Sequence, residues 1–452
     1  MARIWAKWWM AVLLLAPSIS YGQDAVPPTP ASTLAIPPYS ANSSGWLLAQ
    51  HGEGASDPVP VPKAPDKLTA IEQSLEALSK NLTITTADPN FKIVFGGEIV
   101  AELLYSTRRE VAPGTPFFLT PGPANGFRQQ TFDASSRPTT LFALISGPDM
   151  CGFQTSGVIM VCLYSSSLIQ DLYGILPIQA YLQLKNENWR FAAGLQFDIF
   201  NPLNPTVLPF SYLAGSGNAG AGFPAQLRVE RYFHPSDDSL VTITAGISDP
   251  LPTTVNNAFT ISEDNGWPNI EARASLAMGP LAGEGLEARR PFEVGISGVV
   301  GQIRTTTPFV KQVVADIWGL GSDFRWAVTH RFGVQGELYT GQTLGMYTAG
   351  ILQNINVATF AGVHTSGGWL ELYYYLCPEK LHTHVGYGID DPLDRDLAPG
   401  QPVRNDTWFA NLIWDPNKYF RLGFEVAYRK TAYTLFSNNN GLSFQTQFKL
   451  KF

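Results

Sequence analysis

From residue 91 onward, apolar and polar residues alternate with a period of two. The pattern is plainest in Gly441–Phe452. There Leu442, Phe444, Phe448, Leu450 and Phe452 share one parity, and Ser443, Gln445, Gln447, Lys449 and Lys451 the other. Successive side chains of a strand point to opposite faces, so such a strand is apolar on one side and polar on the other. Asn269–Ser275 repeats the pattern, with Asn269, Glu271, Arg273 and Ser275 facing Ile270, Ala272 and Ala274. So does Arg421–Arg429, where Arg421, Glu425 and Arg429 oppose Leu422, Phe424, Val426 and Tyr428. Gln226, Arg228 and Glu230 oppose Leu227 and Val229.

Extended over the chain, this periodicity predicts strands near 91–105, 139–147, 156–164, 177–186, 189–200, 225–234, 239–249, 267–278, 291–304, 313–328, 331–342, 367–377, 381–390, 405–415, 419–431 and 441–452. The connections alternate in length. Asn186–Asn188, Pro235–Asp238, Thr329–His330, Pro378–Lys380 and Asp415–Lys418 are short; 106–137, 201–224, 250–266, 343–366, 391–404 and 432–440 are long; 279–290 is longer than a tight turn. An even number of two-faced strands, with turns at one rim and loops at the other, is the layout of a transmembrane antiparallel β-barrel. The fold class is therefore all-β, a barrel of about 16 strands over 91–452. Its last strand closes on the first, because lipid tolerates no open edge. Charged residues on the polar parity cost several kcal/mol if turned to lipid near the midplane, so they line the interior. Sixteen strands predict an aqueous lumen rather than a packed core.

The segment before the barrel reads differently. Met1–Gly22 is a signal peptide, with Arg3 and Lys7 before an apolar Trp8–Ala16 core and Ser20-Tyr21-Gly22 at the cleavage site, so the protein is exported. Residues 23–65 are Pro-rich and predict a flexible linker. Residues 66–83 carry Leu68, Ile71, Leu75, Leu78 and Leu82 at coiled-coil spacing, with Asp66 placed as N-cap. Two heptads are marginal alone and need a partner. Either they plug their own domain, or they join protomers in a short intermolecular coiled coil on the periplasmic side.

Composition narrows the class. Of 452 residues, 45% are hydrophobic and only 15% charged, below the level of soluble domains, as suits a surface facing lipid. Beyond the N-terminus no apolar run is long enough for a transmembrane helix. A net charge of −7 and the lack of a basic binding motif exclude nucleic acid as a partner. Cys151 and Cys162 flank a short polar stretch and either pair in an oxidising compartment or remain thiols; Cys377 is left over. Trp189, Tyr232, Phe233, Trp267, Trp318, Trp326, Tyr373, Tyr374, Tyr375, Trp408, Trp414, Tyr419 and Phe420 lie near strand ends, where interfacial girdles are expected.

Phe95-Gly96-Gly97-Glu98, Arg331–Gln342, Gly367–Leu372, His384–Pro392 and Leu422–Thr431 give 91–452 the look of Gram-negative-type outer-membrane porins. The chain resembles DcaP-like trimeric porins and related planctomycete barrels. The resemblance implies an outer-membrane location, a homotrimer with a periplasmic N-terminal coiled coil, and no bound cofactor. It also implies that terminal Phe452 is a signal read by the outer-membrane assembly machinery.

The chemistry is that of a channel wall. Loops 106–137 and 201–224 are candidates to fold inward and narrow the pore. Arg108, Arg109, Arg128 and Arg137 would make a positive constriction, with Arg190, Arg228, Arg273 and Arg421 continuing a ladder that favours small anionic or carboxylated solutes. The opposing reading is that Glu230, Glu271 and Glu425 neutralise this ladder and the pore passes small polar solutes with weak selectivity. His382 and His384 share a strand face, but a metal site needs three or four ligands, so they are read as wall or rim histidines. No GxSxG, HExxH, P-loop or Rossmann pattern is present, and His364-Thr365-Ser366 does not make a triad, so no enzyme is expected. The alternative to a channel is a non-channel β-rich surface protein or adhesin.

Overall fold

The computed structural model describes residues 83–85 and 90–452, apart from 113, 124–126, 166–171, 221, 250–262, 266, 283–288, 307–311, 357 and 379. The segments expected to be signal peptide (1–22) and linker (23–65), and the heptad positions Leu68, Ile71, Leu75, Leu78 and Leu82, lie outside the described residues.

Sixteen antiparallel strands close into one barrel. They are β1 (Lys92–Ser106), β2 (Thr131–Ser135 with Thr140–Ser146), β3 (Gln154–Tyr164), β4 (Tyr173–Lys185), β5 (Trp189–Leu195), β6 (Ala225–Ser236), β7 (Ser239–Asp249) and β8 (Glu263–Asn265 with Asn269–Met278). Then come β9 (Phe292–Thr306), β10 (Gln312–Ala327), β11 (Phe332–Gln342), β12 (His364–Cys377), β13 (Leu381–Pro392), β14 (Pro402–Trp414), β15 (Phe420–Tyr433) and β16 (Asn439–Lys451). Each strand pairs with the next, and β16 pairs with β1, setting Ser443 opposite Ser106 and Lys451 opposite Glu98. At this seam Phe452 exchanges two backbone hydrogen bonds with Gly97, at 3.0 and 3.1 Å. The short strand Thr83–Thr85 pairs with the foot of β1.

The period-two reading places every barrel strand. One piece lay hidden, since Thr131–Ser135 sits in a region expected as loop. Pro138 follows it, and a residue without an N–H cannot continue the ladder, so β2 resumes only at Thr140. No helix of the described residues is long and apolar enough to cross a membrane; the crossing is made by strands.

The two faces separate as parity requires. Ile99, Leu103, Ile159, Leu182, Ile243, Ile296, Leu320, Leu372, Leu412 and Phe424 point outward and are exposed, as a lipid-facing band needs. Glu98, Glu102, Glu271, Arg325, Glu337, Glu371, Glu425 and Arg429 point inward and are buried. Tyr232, Tyr373 and Tyr375, expected among the rim aromatics, are buried on the interior face instead. Tyr373 and Tyr375 share the parity of Glu371, whereas Tyr374 between them is exposed.

The interior departs from the expected open lumen. Loop L1 (107–130), loop L3 (196–224) and loop L6 (343–363) turn inward, and most of the large apolar side chains described in them are buried with the wall, Phe127 of L1 being exposed. One apolar cluster joins Phe117 of L1, Phe210 of L3 and Ile351 of L6 to Met160, Ile178, Trp369 and Phe409 of the wall. A second gathers Phe200 of L3 and Leu344, Met346 and Tyr347 of L6 against Val299, Ile317 and Tyr339.

Candidate pore and its constriction

L3 is laid along the inner wall by its own sequence. Pro202, Pro205 and Pro209 lack an N–H and force an extended path, so apart from Val207 N–H, which reaches the Pro205 carbonyl at 3.1 Å, several amides before and between them turn to the wall. Those amides donate instead to a row of wall carboxylates. Ile199 and Phe200 N–H reach Glu271 Oε2 of β8 at 3.0 and 3.2 Å. Leu203 N–H reaches Glu337 Oε1 of β11 at 2.6 Å, Thr206 N–H reaches Glu371 Oε2 of β12 at 2.6 Å, and Leu208 N–H reaches Glu425 Oε2 of β15 at 2.9 Å. Asn411 and Gln447 side chains donate to the carbonyls of Thr206 and Leu208 at 2.6 and 3.2 Å. Amide-to-carboxylate hydrogen bonds are among the stronger kind, and four of these glutamates hold one loop. At the loop's inner bend Gly217 has φ +108°, and a Cβ there would lie 2.2 Å from the Gly368 carbonyl, so only glycine lets the loop touch the wall.

Below L3, towards the short-turn rim, opens a cavity of about 280 Å³. Arg228, Arg273, Arg289, Arg290 and Arg325 line it together with Asp198, Glu230 and Glu293, so five guanidinium groups face three carboxylates. Carboxylates are shared. Glu230 lies 2.5 Å from Arg190 and 3.7 Å from Arg228. Glu293 lies 3.1 Å from Arg273 and 2.8 Å from Arg325. Arg273 also makes a forked pair with Asp323, at 2.5 and 2.9 Å. Asp198, in L3, is pushed well above the ordinary carboxylate range by burial and then by the neighbouring Glu271 carboxylate.

The other residues singled out from the sequence fall elsewhere. Arg137 is buried, pairs with Asp133 at 2.5 Å and lies over the Tyr164 ring. Arg108 and Arg109 are half-buried in L1, where Arg108 Nε donates to the Asn440 carbonyl at 3.2 Å; Arg128 is exposed. Arg421 pairs with Asp415 through two 2.7 Å contacts at a short turn. Burial raises the Asp415 carboxyl, but hydrogen bonds from His382 and Arg421 outweigh it and hold the group below its ordinary range. Glu271 and Glu425 hold loop amides rather than face open lumen. Cys151 is an exposed thiol and Cys162 a buried one, and the two are not bridged.

His382 and His384 form a chain. His382 Nε2 lies 3.3 Å from Asp415, His382 Nδ1 lies 2.6 Å from His384 Nε2, and His384 Nδ1 lies 2.5 Å from Glu371. This chain of contacts links a short turn to the carboxylate that anchors Thr206. Among the described residues no group of three or more metal-ligating side chains is placed to hold an ion.

A closed sixteen-strand barrel with an apolar outer band, alternating turns and loops, and a third loop folded along the inner wall is the architecture of outer-membrane porins. Solved structures agree on the fold. The outer membrane channel DcaP of Acinetobacter baumannii matches with a TM-score of 0.61 at 15% identity, over 82% of this chain and 100% of that one. The anion-selective porin from Comamonas acidovorans matches with a TM-score of 0.52 at 10% identity, over 80% and 100%. OmpF of Salmonella typhi, in complex with daunomycin, matches with a TM-score of 0.51 at 10% identity, over 82% and 100%. No protein-family description and no curated protein matches the sequence. The likeness to DcaP-type porins read from the sequence thus holds at the level of the fold.

Proposed function

We propose that the protein is an outer-membrane channel for passive diffusion of small polar solutes, with a preference for anions and carboxylates. The observation that carries this is the cavity beneath L3, where five arginines meet three carboxylates and two of those are shared. A guanidinium already half-committed to a shared carboxylate retains N–H groups for a passing anion, and its planar fork suits a carboxylate. One of the structures with the same fold is named an anion-selective porin, which points the same way. In this reading Met1–Gly22 directs export, 23–65 is a periplasmic linker, and the heptads at 66–83 help three protomers associate. No cofactor and no catalysis enter.

Liposome swelling tests the proposal. Vesicles carrying the protein are expected to swell faster in a monocarboxylate than in a neutral sugar of the same size. Equal rates for both solutes sink the carboxylate preference, and swelling no faster than empty vesicles sinks the channel.

A further inference from the structure

L3 and L6 meet inside the barrel. Gly215 N–H donates to the Thr348 carbonyl and Gly220 N–H to the Tyr347 carbonyl, both at 2.8 Å. Thr348 Oγ1 donates back to the Asn218 carbonyl at 2.9 Å. Tyr347 O–H donates to Glu271 Oε1 at 3.1 Å, and Glu271 is also the carboxylate that takes the Ile199 and Phe200 amides. One residue of β8 therefore latches both loops. On the far side Ile351 N–H donates to Asp390 of β13 at 2.7 Å.

The backbone at this contact is strained. Tyr212 (φ 45°) and Leu213 (φ 62°) of L3, with Ile351 (φ 56°) and Leu352 (φ 61°) of L6, occupy the left-handed region, and all four are buried. Bulky side chains avoid that region, and a β-branched residue there is a true outlier. Conformations held against such strain gather at switch elements. The contact belongs to the apolar cluster that runs from Met160 and Ile178 on one wall to Phe409 and Ala427 on another. Apolar constrictions gate channels by excluding water.

We infer that L3 and L6 form a two-loop gate inside the barrel, latched by Glu271, and that solute passes when L6 leaves L3. This rests on the channel reading above. The test compares single-channel currents of three full-length proteins in planar bilayers: wild type, a variant with residues 345–355 replaced by a short Gly-Ser linker, and Tyr347→Phe. Wild type is expected to rest at a low level with brief openings. The shortened variant should lose the low resting level and stay at the open level, because an apolar constriction gates by excluding water. Tyr347→Phe should raise the open fraction without changing the open level. Equal currents in wild type and the shortened variant overturn the gate alone. Should the shortened variant fail to form a barrel, a wild-type open fraction in Tyr347→Phe overturns the gate on its own. No current through any of the three overturns the channel reading and the gate with it.

Discussion

Glu271→Ala is expected to release both inward loops while leaving the barrel closed. The carboxylate accepts from Ile199 N–H, Phe200 N–H, Ser248 Oγ and Tyr347 O–H. Alanine leaves these buried donors without their acceptor, and each such loss costs about 1–3 kcal/mol. The strand ladders beside it do not depend on the side chain, since Glu271 pairs with Gly246 and Val299 through backbone. The variant should keep the heat-modifiable mobility of a folded barrel, yet L3 should be cut by a protease that spares the wild type. Wild-type resistance in Glu271→Ala contradicts the anchoring role.

The second large effect falls on Arg273. Its side chain is 11% exposed, and the Asp323 side chain that it clamps is 1% exposed. Removing one partner of a buried pair strands the other charge, a loss of about 3–5 kcal/mol. Arg273→Ala should therefore lower the thermal unfolding midpoint sharply. Adding Asp323→Asn should recover much of that loss, because the stranded charge is gone. Glu293 keeps Arg325 at 2.8 Å and needs no such rescue. The single variant also removes one of five cavity arginines and should weaken anion preference. A single variant as stable as wild type contradicts the buried-pair account.

The strands were legible because lipid outside and polar groups inside impose a period of two on every crossing, and a slip of one residue would reverse both faces. Parity also decides what proximity to a strand end does not. Three consecutive tyrosines, Tyr373 to Tyr375, look alike in sequence, yet the inward Glu371 fixes Tyr373 and Tyr375 as interior. The loops were less legible. L3 was foreseen as an inward loop, but its means of attachment was not. Glu337 and Glu371 stand inside the motifs Arg331–Gln342 and Gly367–Leu372 with no local sign that they await amides more than a hundred residues away. L6 did carry a signal: Leu344, Met346, Tyr347, Ile351 and Leu352 are too apolar for a loop at a wet rim, and all are buried. That excess over the needs of a connection is what marks a loop bound for the interior. The sharing of Glu230 and Glu293 among Arg190, Arg228, Arg273 and Arg325 is set by distances between strands, which the sequence does not express.

The reversal potential across a planar bilayer under a salt gradient tests the central claim most directly. An anion-favouring channel predicts a potential of the sign set by chloride, shifted towards zero in Arg273→Ala. A potential of the opposite sign in the wild type contradicts the account of the cavity beneath L3.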